Sequence, residues 1–159
     1  MAEPDEEPPL TVAEIMGLIR SDDKDDRLDG LIELSEVIDG AFGEDAALLG
    51  EEVRELEGVM VLAWLINDPE VEVQQQALLV LGNLCSDACD PNSYLTKQQL
   101  LLAGADRTIT MVLQSEDANV LLYACGCIQN LCVDDEWAQA LVENHVEGRL
   151  AELLVHENY

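Results

Sequence analysis

Positive charge is the scarcest property of this sequence. Of 159 residues, 7 are lysine or arginine against 34 aspartate and glutamate, a formal net charge of −27. A surface this acidic repels phosphate, so DNA, RNA and anionic lipid are poor partners, while basic peptides are attracted. Aromatic residues make up only 4% and there are two histidines, His145 and His156. No glycine-rich phosphate loop occurs, no cofactor motif is present, and nothing in the chain points to catalysis. No apolar run approaches the roughly 18 residues that cross a bilayer. The first residues, Met1-Ala2-Glu3-Pro4-Asp5-Glu6-Glu7-Pro8-Pro9, are acidic and proline-rich, unlike a secretory signal, which starts basic and turns apolar. The five cysteines are an odd number, all between Cys85 and Cys132 in largely apolar text. They read as free thiols in a reducing compartment, cytoplasmic or nuclear, rather than as a disulfide framework.

Apolar residues, by contrast, are plentiful. They make up 48% of the chain, and the mean hydropathy is +0.04. Disordered acidic chains lack this apolar content, so the acid must lie on the surface of something folded. Residues 1–9 read as a disordered acidic tail and residues 10–159 as one domain. After Leu10, alanine, leucine, glutamate and glutamine dominate and period-two alternation is rare, so the text reads as helix. Turn and capping residues break it at Ser21-Asp22-Asp23, Asp39-Gly40, Asn67-Asp68-Pro69, Ser86-Asp87, Asp90-Pro91-Asn92, Ser115-Glu116-Asp117 and Val133-Asp134-Asp135.

Two of the helical stretches are copies. Residues 75–87 read QQALLVLGNLCSD and residues 122–134 read LYACGCIQNLCVD. The offset of 47 superposes Ala77 on Ala124, Leu81 on Ile128, Asn83 on Asn130, Leu84 on Leu131 and Cys85 on Cys132. A shorter apolar helix opened by glycine, at Gly58 and at Gly104, precedes each copy. A weaker copy lies 46 residues upstream, where Leu31, Leu34 and Ile38 match Ala77, Val80 and Leu84. Ala77, Leu81 and Leu84 share one helix face that a single repeat leaves uncovered, so a neighbouring repeat must cover it. A period of this length, with a short, a medium and a long helix, predicts an α-solenoid.

The long-helix text resembles the armadillo repeat family. QQALLVLGNLCSD follows that family's pattern of alanine, apolar residues, then Leu-Gly-Asn-Leu and a small residue before aspartate. The resemblance covers residues 10–159. It implies an all-α fold, a right-handed superhelix of about three repeats with partial repeats at its flanks. It also implies a protein-interaction module that holds an extended, basic peptide in a concave groove lined by the long third helices. In relatives of the importin-alpha and beta-catenin kind, an asparagine near the end of each long helix hydrogen-bonds the peptide backbone. Asn83 and Asn130 match that position. A side-chain amide suits the task because it both donates and accepts. Residues four apart share a helix face, so the expected groove row is Gln75, Leu79, Asn83 and Asp87, continued by Leu122, Gly126, Asn130 and Asp134. Importin-type repeats carry tryptophan four residues before the asparagine, whereas this chain has Leu79 and Gly126, which argues against a nuclear-import receptor.

Other readings compete with this one. The segment Asp25 to Glu36 has aspartate or glutamate at positions 1, 5 and 12 and glycine at 6 of a calcium loop, but Arg27 at position 3 cannot ligate the ion. Cys85 and Cys132 occupy a small core slot, and Cys89 lies in a loop; a metal is not expected. Trp64 and Trp137 read as core or groove-edge packing. The C-terminal leucines Leu150, Leu153 and Leu154 with Val155 read as an uncapped end suited to self-association, making an assembly protein the alternative function. Another alternative is an adaptor like the armadillo-type nucleotide exchange factors of heat-shock chaperones.

Overall fold

The computed structural model describes residues 8–156, so the tail expected over residues 1–9 lies outside them except for Pro8 and Pro9. Among the described residues there are ten helices and no strand. In chain order these are α1 (Val12–Ile19), α2 (Lys24–Gly40), α3 (Glu44–Glu55), α4 (Gly58–Leu65), α5 (Val71–Leu84), α6 (Ser93–Leu102), α7 (Ala105–Val112), α8 (Ala118–Leu131), α9 (Asp135–Glu143) and α10 (Val146–Leu154). The triplets α3–α4–α5 and α6–α7–α8 are complete three-helix repeats. The pair α1–α2 supplies a second and a long helix at one end, and α9–α10 a first and a second helix at the other.

Local chemistry places the helix starts. Thr11 and Glu14 form a capping box at α1. The Asp23 carboxylate accepts from the backbone N–H groups of Asp25 and Asp26 to open α2. Asp117 does the same for α8 through Val120 N. The second helices after α1 instead begin from a left-handed residue: Glu57 (φ 58°) before α4, Gly104 (φ 75°) before α7 and His145 (φ 60°) before α10. The sequence pairing of Gly58 with Gly104 is thus one residue out of register, because the corner belongs to Glu57 and Gly104. Gly58 is small for another reason: a Cβ there would lie 2.7 Å from Val53 Cγ1 and 2.8 Å from Val53 O.

The three long helices lie side by side, with α5 between α2 and α8. The repeat register is visible in what they bury. Leu31, Ala77 and Ala124 are equivalent and buried, as are Leu34, Val80 and Cys127, and Ile38, Leu84 and Leu131. The face expected on α5 and α8 (Ala77, Leu81, Leu84; Ala124, Ile128, Leu131) is buried throughout. One apolar core runs the length of the array, from Val12 to Val146.

The stretch Asp25–Glu36 lies within the unbroken helix α2, in keeping with the repeat phase of Leu31, Leu34 and Ile38, and a continuous helix cannot wrap its carboxylates around a calcium ion. Two sequence expectations are corrected. Trp64 is 70% exposed: α4 turns Val59, Leu62 and Ala63 inward, which leaves Trp64 on the opposite side. Its equivalent on α7, Met111, is also exposed. Trp137 is buried and donates its indole N–H to Lys97 O at 2.9 Å. Cys85 is buried but Cys132 is exposed, because α8 covers the end of α5 and no fourth long helix among the described residues covers α8.

Candidate peptide groove

The long helices α5 and α8 enclose a cavity of about 330 Å³ lined by Leu78, Leu79, Gly82, Asn83, Leu122, Tyr123, Gly126, Cys127, Gln129 and Asn130. Five of the eight expected row residues meet here: Leu79, Asn83, Leu122, Gly126 and Asn130. Leu122 is 63% exposed and gives the cavity an apolar edge. Gly126 leaves its floor open, since a Cβ at that position would meet nothing within 4 Å.

The two asparagines differ. Asn130 donates from Nδ2 to Gly82 O on α5 at 3.0 Å, so one of its two N–H groups ties neighbouring repeats together. Asn83 makes no side-chain hydrogen bond with another described residue and keeps donor and acceptor free.

The other three row residues are not part of this cavity. Gln75 donates from Nε2 to Asp117 Oδ1 at 3.0 Å, which locks the start of α5 to the loop before α8. The N–H of Val120 first, and then the Gln75 amide, hold the Asp117 carboxyl below its usual range. Asp134 and Asp87 instead flank Lys97 on α6, with carboxylate oxygens 3.3 Å and 4.0 Å from Nζ. The Lys97 side chain is 3% exposed, and Asp87 also accepts from the Ser93 hydroxyl. Row spacing along a helix is blind to a cation arriving from another helix, so Lys97 was missed. Its only sequence signal is a single charge in the leucine-rich text of α6.

The cavity itself carries no charged residue. Acid on the long helices is concentrated on α2, where Asp29, Glu33 and Glu36 fall 46 residues before Gln75, Leu79 and Gly82. Basic side chains are committed elsewhere, mostly to contacts one repeat away. Arg20 donates to Leu56 O. Lys24 pairs with Glu70 and Arg27 with Asp68. Arg54 pairs with Asp90 and Lys97 with Asp134. Arg149 donates to Leu113 O. Of the seven, only Arg107 makes no such tie among the described residues.

Helical triplets stacked along one axis, with long helices lining a shared depression, define an armadillo-like repeat protein, and comparison with solved structures agrees. The chain superposes on an engineered protein with a TM-score of 0.79 at 24% identity, covering 92% of this chain and 56% of the other. It superposes on computationally designed armadillo repeat proteins for modular peptide recognition with a TM-score of 0.76 at 20% identity, covering 94% and 59%. A designed armadillo repeat protein solved in complex with the peptide (KR)4 gives 0.76 at 21% identity, covering 92% and 58%. The chain thus spans a little over half the length of these structures. No protein-family model and no curated protein matches the sequence. No helix among the described residues is long and apolar enough to cross a membrane.

Proposed function

We propose that the chain is a non-catalytic binding module, working in the cytoplasm or nucleus, that captures an extended basic peptide along its long helices. Asn83 would hold the peptide backbone through its free amide, and Asn130 through the N–H and carbonyl oxygen left over from its bond to Gly82. Leu79, Leu122 and the open space over Gly126 would receive side chains. Asp29, Glu33 and Glu36 on α2 would attract lysine and arginine where the peptide passes the first long helix. The observation that carries this reading is the cavity between α5 and α8 with an uncommitted asparagine in its wall. The (KR)4 complex of a similarly folded designed protein supports it. From α2 to α8 there are two helix spacings of about 10 Å. At about 3.3 Å per residue, the bound segment is about six residues long.

Fluorescence anisotropy with a labelled lysine–arginine peptide tests the proposal. Asn83→Ala removes a donor and an acceptor, together worth about 1–2 kcal/mol, so affinity should fall about tenfold while the melting temperature holds. Raising the salt concentration should weaken binding further. Unchanged affinity in Asn83→Ala sinks the groove mechanism.

A second reading has its own observation. At the C-terminal end Leu154 and Val155 are 87% and 81% exposed, and Cys132 is uncovered where Cys85 is buried. Self-association through this end would bury them. Sedimentation velocity across a concentration series decides, since a monomer at every concentration removes this reading.

A further inference from the structure

The first helices of successive repeats form a second row of cavities that shares no lining residue with the groove. One, of about 400 Å³, lies between α3 and α6 and is lined by Glu51, Arg54, Glu55, Leu95, Gln98 and Leu102, among others. The next, of about 330 Å³, lies between α6 and α9 and is lined by Tyr94, Lys97, Leu101, Asp134, Glu136 and Trp137, again with Gln98. Gln98 is the shared wall, so the two cavities follow one another across α6.

Their chemistry repeats as well. Each contains one buried cation already neutralised by a carboxylate: Arg54 with Asp90 at 2.7 Å, and Lys97 with Asp134 at 3.3 Å. Glu51 and Glu55 line the first cavity and Asp135 and Glu136 the second, all four exposed and without a cation to balance them. Apolar surface lies between these carboxylates. Leu102, in the first cavity, is 88% exposed and Tyr94, in the second, 56%, and a concave site that combines apolar side chains with a few polar groups is suited to binding.

We propose that this row is a second docking surface and that its occupant is a basic amphipathic segment of a partner protein, with leucine-like side chains against Leu102 and Tyr94 and arginine or lysine at Glu51, Glu55, Asp135 and Glu136. Charge complementarity selects the partner's sign. A second copy of this chain, itself strongly acidic, does not fit. The surface is independent of the groove, and both can be occupied at once.

The test uses a peptide of about twelve residues alternating leucine and arginine, long enough in extended form to cross α3, α6 and α9. In a Trp64→Phe background Trp137, in the wall of the second cavity, is the sole indole. Its emission should shift on binding. Reversing the rim with Glu51→Lys and Glu136→Lys should weaken binding by about tenfold or more. Asp22→Lys with Glu116→Lys makes the same change in net charge at exposed loop sites and should change binding by less than about threefold. Asn83→Ala should leave it unchanged. The proposal is overturned by an emission that does not move at saturation, by equal losses in the two charge-reversal pairs, or by loss of binding in Asn83→Ala, which would place the peptide in the groove.

Discussion

Residues 85–92 connect α5 to α6, whereas only residues 132–134 connect α8 to α9. The longer connection is held by one buried ion pair, and removing it should be costly. Arg54 on α3 reaches Asp90 Oδ2 at 2.7 Å and Thr96 Oγ1 at 3.1 Å. The two charged side chains are 6% and 1% exposed. Asp90 also accepts from Asn92 N at 2.8 Å and, through its main-chain oxygen, from Ser93 N at the start of α6. Asp90→Ala leaves the Arg54 guanidinium buried with only the Thr96 hydroxyl for company. Removing one partner of a buried pair costs about 3–5 kcal/mol. For a chain of this size that lowers the melting temperature by about 6–20 °C. A second perturbation comes from the same face of α3, one turn before Arg54. A Cβ on Gly50 would lie 2.1 Å from Asp90 Oδ2, so Gly50→Ala displaces the carboxylate without deleting it and should cost stability too. Far-UV circular dichroism melts of Asp90→Ala, Arg54→Met and the double variant form the assay. The double variant should recover part of the loss, because it contains no lone buried charge. If Asp90→Ala costs less than about 1 kcal/mol, the pair behaves like a surface ion pair and the argument fails.

Three further outcomes are expected. Gly126→Ala should raise stability by about 0.5–1 kcal/mol in a denaturant melt, since it replaces glycine inside α8 where a methyl group meets nothing; destabilisation would mean that the groove floor is closed. Alkylation followed by peptide mapping should label Cys132 first and Cys85 only on unfolding, because Cys132 is exposed, whereas the Cys85 thiol is held well above its ordinary pKa, first by its hydrogen bond with the Cys127 sulfur and then by burial. Acid should destabilise the fold below about pH 4. Asp117, through Val120 N, and Glu14, through Thr11, have lowered carboxyl pKa values, so their contribution is present above the unfolded-state value and is lost as pH falls through the folded one. Asp117→Asn should flatten that part of a stability–pH profile, and an unaltered profile refutes the assignment.

The fold was legible because burial imposes periodicity on the text. Leu31, Leu34 and Ile38 recur as Ala77, Val80 and Leu84 and then as Ala124, Cys127 and Leu131, and all nine are buried. Corners were harder to read. The left-handed conformation costs a non-glycine residue about 1–2 kcal/mol, little enough for the packed array to hold Glu57 and His145 in it where Gly104 serves in between, and the glycine at position 58 misled the alignment by one residue. Neighbours on a single helix, such as Asn83 and Leu79, could be placed on one cavity wall from i, i+4 spacing. Asp87, Asp134 and Gln75 could not, because their partners Lys97 and Asp117 come from other elements of the next repeat. Cys132 and Trp64 were misread for a related reason: composition shows that a side chain is apolar, but only the array shows whether a neighbour covers it.

With six of the seven cations committed to contacts inside the array, the protein has almost no mobile positive charge of its own to spread over its acidic exterior. Its neutrality in solution is supplied by the surrounding electrolyte, as a cloud of small cations condensed near the helices. Any basic partner that docks displaces part of that cloud, and the freed ions contribute entropy to the association. A basic partner of the proposed kind would therefore compete with potassium and sodium ions for the surface, and the ionic composition of the surroundings would control its binding.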